Sequence, residues 1–230
     1  MERIAYLQTW LNSKGAKLAV DGQAGPLTRA AIIEVFRNKE APAITQPEIN
    51  MYADKIGVTP RQLQTVAIVE SAGGGWDNSG LLKCLWERHY LWRRVKLAVP
   101  FLSDPSPGGY TIDADGDGIN DSWEKLADAA LRFGFNTAAE CASFGKFQIM
   151  GAHWQKLGYD TVADFIWKLS CSEAAHYDAL CRFVQVYGLV PAMRAISDRS
   201  SDCLPLARMY NGKGQKGYDA KLALAFARLK

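Results

Sequence analysis

Residues 59–75 read TPRQLQTVAIVESAGGG, and the reading of this stretch decides the fold. Thr59 is a good N-cap, and Pro60 suits the first helical position. Leu63, Val66, Ala67 and Glu70 recur at i, i+3, i+4 and i+7, which is one face of a helix. Three of them are apolar. The fourth is a glutamate where the pattern asks for another apolar side chain. The run Val66, Ala67, Ile68, Val69 predicts a helix buried nearly all round, and Gly73, Gly74 and Gly75 are expected to end it. A carboxylate half inside apolar surroundings, at the negative end of a helix dipole, is favoured in its protonated form, so its pKa should rise. A raised carboxyl pKa is what a general acid needs near neutral pH. The plain alternative is a last turn that frays and leaves Glu70 in solvent, because buried glutamates are rare.

The chain has 230 residues, with 48% hydrophobic and 11% aromatic content, enough for a well-filled core. Its net charge of +3 is too small to point to nucleic acid, and no basic run is interleaved with aromatics. Five scattered cysteines without a CxxC pair argue against a disulfide framework or a zinc site, and predict reduced, buried thiols. The start, MERIAYLQTWLNSKGAK, is amphipathic and has no signal-peptide h-region, and no run reaches membrane-span length. Synthesis in the cytosol, no membrane partner and a monomer are therefore expected.

Residues 1–45 read as a small helical module. Leu7, Trp10 and Leu11 form one apolar stripe, a Gly/Asp-rich turn follows, and Ala31, Ile32, Val35 and Phe36 form a second. A Pro-punctuated linker, APAITQP, separates it from residues 46–230. In LLKCLWERH (81–89), the first half suits a strand or a buried helical turn, while Glu87, Arg88 and His89 interrupt it. Those three are either a mutually satisfied polar cluster or part of the chemistry. The stretch DADGDGINDSWE places Asp113, Asp115, Asp117, Asp121 and Glu124 at calcium-loop positions one, three, five, nine and twelve, with the Ile119 carbonyl at seven. Such a calcium ion would be structural. The other reading is a solvated acidic loop in which Asp121 and Glu124 form a capping box.

Three further motifs stand in order: Glu70-Ser71, then SFGKFQIMG at 143–151, then ARMYNG at 207–212. This order resembles the lysozyme-like lytic enzymes. More closely, VES, LWERH, SFGKFQIMG and YNG resemble the N-acetylmuramidase family of phage and prophage endolysins. Lys146 departs from that pattern, standing where the family has an apolar residue. LQTWLNSKGAKLAVDGQAGPLTRAAIIEVF (7–36) is similar, in shortened form, to the peptidoglycan-binding repeat module of wall hydrolases.

The resemblance implies a mainly α, lysozyme-like catalytic domain with room for a small β-hairpin, behind a small helical module. It implies cleavage of peptidoglycan between N-acetylmuramic acid and N-acetylglucosamine, with no cofactor for catalysis. The enzyme would wait in the host cytoplasm and reach the periplasmic wall after membrane permeabilisation. Glu70 is then the acid. Gln148 offers amide groups to the sugar, and Tyr210 is placed to hydrogen-bond the acid or stabilise developing charge. Trp76, Phe147 and Tyr210 are candidate sugar platforms, and Asn211 lies where backbone would approach the glycan. The second carboxylate is open between Asp77, Glu87 and none. Hydrolysis, transglycosylation to an anhydro product and a non-catalytic wall-binding protein all remain readings of the sequence.

Overall fold

The computed structural model describes residues 2–71, 73–211, 214 and 216–229, with the side chain of Asn211 left out. In chain order the elements are α1 (Glu2–Ser13), α2 (Pro26–Glu34), α3 (Gln46–Ile56), α4 (Pro60–Glu70), β1 (Cys84–Trp86), α5 (Arg88–Val95), α6 (Asp121–Phe133), α7 (Phe135–Ala139), β2 (Ala142–Phe144), β3 (Ile149–Met150), α8 (Val162–Cys171), α9 (Glu173–Val186), α10 (Val190–Arg194), α11 (Ser200–Asn211) and α12 (Tyr218–Arg228). The chain is mainly α with one small sheet, as expected. It divides into two compact units, Met1–Ala41 with Trp76–Cys171, and Pro42–Gly75 with Ser172–Lys230.

The first unit is built around stacked rings. Phe36 lies 5.0 Å from Trp123, and Trp123 lies 5.9 Å from Phe144, centroid to centroid. Trp123 and Phe144 are almost wholly buried, and the Trp123 indole N–H donates to Leu82 O at 2.6 Å. A buried indole needs such a partner. The ambiguous 81–86 run resolves as a strand: β1 pairs antiparallel with β2, Leu85 opposite Ser143, and β2 pairs antiparallel with β3, Phe144 opposite Ile149. Helix α6 starts at an Asn120 cap, whose side chain accepts from Ser122 N, so the expected Asp121 cap is displaced by one residue.

Helices α1 and α2 belong to this unit, with α2 packed on α6. Arg29 ties the pair, reaching Glu124 at 2.8 Å and Asp128 at 2.6 Å. The motif residues that suggested a wall-binding module hold their own turn together. Buried Gln8 donates to Asp21 Oδ1 at 2.8 Å and to Thr28 Oγ1 at 3.1 Å, and accepts from Gly22 N at 2.9 Å. Asp21 also accepts from Gln23 N.

In the second unit α4 packs on α3, α10 and α12. Both α3 and α4 open with a capping box and an early proline, Thr45 with Glu48 and Thr59 with Gln62. These boxes satisfy amides that a helix start leaves unpaired. Gly57 takes a left-handed conformation to close α3. Two expectations are corrected. Helix α4 is not buried all round: Leu63, Val66 and Ala67 are inside, but Ile68 is 52% exposed. Its C-cap is Ser71 in extended backbone, ahead of the glycines.

All five cysteines are free; Cys171 is exposed and the other four are buried, so the expectation of buried thiols fails at Cys171. No helix among the described residues is long and apolar enough to cross a membrane.

Replacing Gln8 by Leu removes the partner of the half-buried Gly22 amide and one partner of buried Thr28. A loss of about 1 kcal/mol is expected, the net worth of an internal hydrogen bond. Thermal denaturation checks it, and an unchanged melting temperature would show that the turn does not depend on Gln8.

Candidate active site

Glu70 is the last residue of α4, and α4 is anchored along its length. The Gln62 side chain accepts from Thr59 N and donates to Arg194 O at 2.7 Å, at the end of α10. Arg61 donates to Phe226 O at 2.7 Å and lies 4.0 Å over the Phe226 ring. That cation sits in the last turn of α12, where a helix dipole favours positive charge. Thr65 closes on Arg61 O at 2.7 Å. These contacts fix the register at which α4 delivers its final side chain.

The Glu70 carboxyl is half-buried, and its Oε1 is buried with no hydrogen-bond partner among the described residues. Desolvation pushes its pKa up to about 8. Buried polar groups are nearly always paired, so an unpaired carboxyl oxygen marks a functional position. Tyr210, in the last turn of α11, belongs to the same unit. Burial first, and then the Glu70 charge, hold its hydroxyl well above the usual tyrosine range. The Tyr210 ring lies 5.8 Å from Phe183 and 6.5 Å from Tyr218, nearly parallel to the latter. The expected Tyr-Asn-Gly turn is thus partly helix, since α11 continues to Asn211. The Asn211 side chain and Gly212 lie outside the described residues.

Gln148 lies in the first unit, in the 145–148 loop joining β2 to β3. Its backbone is left-handed, at φ 47°, as is that of Gly145, at φ 71°. A non-glycine residue in that region is strained and needs support. The support is its own amide. Oε1 accepts from Ser143 Oγ at 2.9 Å and Nε2 donates to Gly145 O at 2.8 Å. One amide hydrogen and one lone pair remain on this exposed side chain. Gln148 therefore shapes the hairpin first. Gly151 is needed for packing: a Cβ there would lie 2.1 Å from Ala139 O. Phe147 is 5% exposed, so its ring is part of the core and offers no face to a sugar.

The other candidates in this unit are also engaged. Asp77 Oδ1 accepts from Ser79 N at 2.8 Å, Ser79 Oγ at 2.7 Å and Leu81 N at 3.0 Å. Trp76 is half-buried and bridges to Leu82 through its backbone. Glu87 Oε2 lies 3.2 Å from His89 Nδ1 and accepts from the Tyr110 hydroxyl at 2.7 Å. Arg88 donates to Ser106 O and Pro107 O, so the cluster straps down the loop that precedes α6, but it is only partly satisfied, since buried His89 Nδ1 makes no hydrogen bond among the described residues.

The acidic loop splits into two groups. Carboxylate oxygens of Asp113, Asp115 and Asp117 approach within 4.8 Å of one another, as do those of Asp115, Asp121 and Glu124. Asp121 accepts from Ala114 N at 2.9 Å, and Glu124 is paired with Arg29. The two carboxylates expected at positions nine and twelve thus already have protein partners, and the Ile119 amide donates to Asp117. Any cation here would compete with those bonds.

A family model for N-acetylmuramidase matches residues 59–230. This chain belongs to the N-acetylmuramidase family. The crystal structure of the Burkholderia AP3 phage endolysin is similar, with 30% identity and a TM-score of 0.70 over 98% of this chain and 93% of that one. Comparison with curated proteins finds no match. The chain is accordingly a peptidoglycan-cleaving hydrolase of lysozyme-like, mainly α fold.

Several residues of this muramidase that set the site have no local sequence signal. Arg61 reads as a solvated charge one position into a helix, and Tyr218 as the start of another. The imidazole of buried His176 packs so closely on Gly75 that a Cβ there would lie 2.2 Å from Cε1. The Arg61–Phe226 and Gly75–His176 pairs are far apart in the chain, so periodicity is blind to them. The aromatic at 218, eight residues past Tyr210 across a Gly-rich turn, was the nearest thing to a clue.

The Glu70 setting has a thermodynamic consequence. Its folded pKa of about 8 lies above the unfolded value. Between the two, the native state holds a proton that the unfolded state has released, so stability falls as pH rises through that window. Glu70→Gln mimics the protonated form. It should melt with the wild type near pH 4 and above it by pH 8, with the gap growing in between. Melting curves across pH check this, and a gap independent of pH would place Glu70 in an ordinary solvated setting.

Proposed function

We propose that this muramidase hydrolyses the glycosidic bond between N-acetylmuramic acid and N-acetylglucosamine, with Glu70 as general acid, in phage-driven lysis of a host cell. The single observation that carries the reading is the buried Glu70 Oε1 without a partner, on a carboxyl whose pKa is near 8. At neutral pH that group is protonated and can give its proton to the leaving sugar oxygen as the bond breaks. The carboxylate left behind is disfavoured by the same desolvation, which favours its return to the acid form. Tyr210 is assigned to the surroundings of the acid, as a hydroxyl kept protonated and able to donate. The Gln148 hairpin is assigned to holding glycan-facing backbone in place. The phage role draws on the likeness to the AP3 endolysin. On that reading the protein accumulates in the host cytoplasm and meets the periplasmic wall after the membrane is breached. We further assign residues 1–45 a wall-contacting role.

A second reading has an observation of its own. Asp77 is committed to three donors in its turn, and Glu87 to His89 and Tyr110. A single free acid suits attack by the substrate's own 6-hydroxyl, giving an anhydro product, as well as it suits attack by water.

Turbidity clearing of purified walls, with mass spectrometry of the released muropeptides, tests both. Glu70→Gln should lower the rate by about 10²–10⁴, and wild-type kcat/KM should fall as pH rises past about 8. Products with reducing ends are expected. Products lighter by one water mean transglycosylation, and wild-type clearing by Glu70→Gln removes it from the acid role.

A further inference from the structure

We propose that a pocket between α1 and the α6–α7 corner binds an N-acetylhexosamine unit of the glycan, as a second sugar site that performs no chemistry. This rests on the reading of peptidoglycan as the substrate and adds a place that holds it. The pocket lies wholly within the first unit, whereas Glu70 belongs to the second. Its volume of about 290 Å³ is at the small end of ligand sites, roughly 300–1,000 Å³. That is room for one sugar-sized group.

The lining matches an acetamido sugar in three respects. First, one wall is aromatic. Tyr6 and Trp10 stand one turn apart on α1, and Phe133 faces them from the α6–α7 corner, with buried Phe135 as the support behind Trp10. Trp10 rests on Phe36 and Phe135, both 6.0 Å away, which fixes its ring while leaving it half-buried. Tyr6 is 74% exposed, a large aromatic left open at the rim. Pyranose C–H faces pack on such rings.

Second, four of the lining polar groups are neutral and unused, while the Thr161 hydroxyl caps α8 by accepting from Asp164 N. The Asn136 amide, the Thr137 hydroxyl, the Trp10 indole N–H and the Tyr6 hydroxyl make no hydrogen bond with any described residue. An amide can exchange hydrogen bonds with the N–H and C=O of an acetamido group while the apolar wall takes its methyl, which a plain hydroxyl lacks.

Third, no carboxylate lines the pocket, and its single charge is Arg3. Arg3 is pinned by donating to Leu131 O and Arg132 O, the last carbonyls of α6. Its remaining N–H groups tolerate the lactyl carboxylate of a muramic unit and would repel nothing on an N-acetylglucosamine. These four groups face solvent, so they can turn from water to a sugar without breaking any bond inside the protein.

The test is a ¹H–¹⁵N titration of the labelled full chain carrying Glu70→Gln, which slows turnover. N-acetylglucosamine is the probe and glucose the control. The Trp10 indole and Asn136 amide resonances should shift together and saturably with N-acetylglucosamine, and not with glucose. Asn136→Ala, an exposed change with no core contact, should weaken the apparent Kd roughly fivefold, the worth of one lost hydrogen bond, while the melting temperature holds. Resonances that do not move, equal shifts with glucose, or an unchanged Kd in Asn136→Ala overturn the site. Wall clearing by the wild type is read separately: clearing with a failed titration overturns the pocket alone, and failed clearing overturns the proposed function.

Discussion

A carboxyl oxygen without a partner is the constraint that the helix carrying it has to bear. Glu70 Oε1 is buried and unbonded among the described residues. Ionising it there is costly, and a folded chain has little stability to spare. The cost is borne by the helix that carries it. Helix α4 is capped by the Thr59–Gln62 box, tied to α10 by Gln62 and to α12 by Arg61, and packed through Leu63, Val66 and Ala67. Without those ties the last turn would unwind and carry the carboxyl into water, where its pKa would return to the ordinary range. Rigidity along α4 and chemistry at its end are one design.

Much of that helix was legible in sequence, because its determinants are local. A threonine cap, an early proline and an i, i+3, i+4, i+7 face fix start, direction and which side chain arrives last. A four-residue apolar run suggested burial all round, but a helix wraps a run around its axis, and Ile68 points outward. Glycines suggested the end, but the backbone leaves the helix at Ser71 already. The strand at Cys84–Trp86 could not be settled locally. Its identity comes from pairing with Ala142–Phe144, far along the chain.

The candidate site divides in the same way. Motif residues read as ligands for substrate often proved to be ligands for the protein itself. Gln148 holds its own hairpin, Asp77 its own turn, and Glu87 the loop before α6. Gln8, Asp21 and Thr28 hold the turn that suggested a wall-binding module. A motif records which residues occur together, and a demanding backbone calls for particular residues as strongly as a substrate does. Glu70 differs, since nothing in the described chain uses its Oε1. The pocket beside α1 differs in the same sense: its Asn136 and Trp10 donors have no internal work.

The central claim, that this acid is kept protonated at neutral pH by its surroundings, is tested most directly by titrating Glu70 itself. Carbon-13 NMR of the labelled side-chain carboxyl, assigned by the resonance missing in Glu70→Gln, gives its midpoint in the folded chain. A midpoint near 8 is the result predicted here. A midpoint near the ordinary glutamate value of about 4.3 would mean that Glu70 is solvated and ionised at neutral pH, and would contradict its role as the acid.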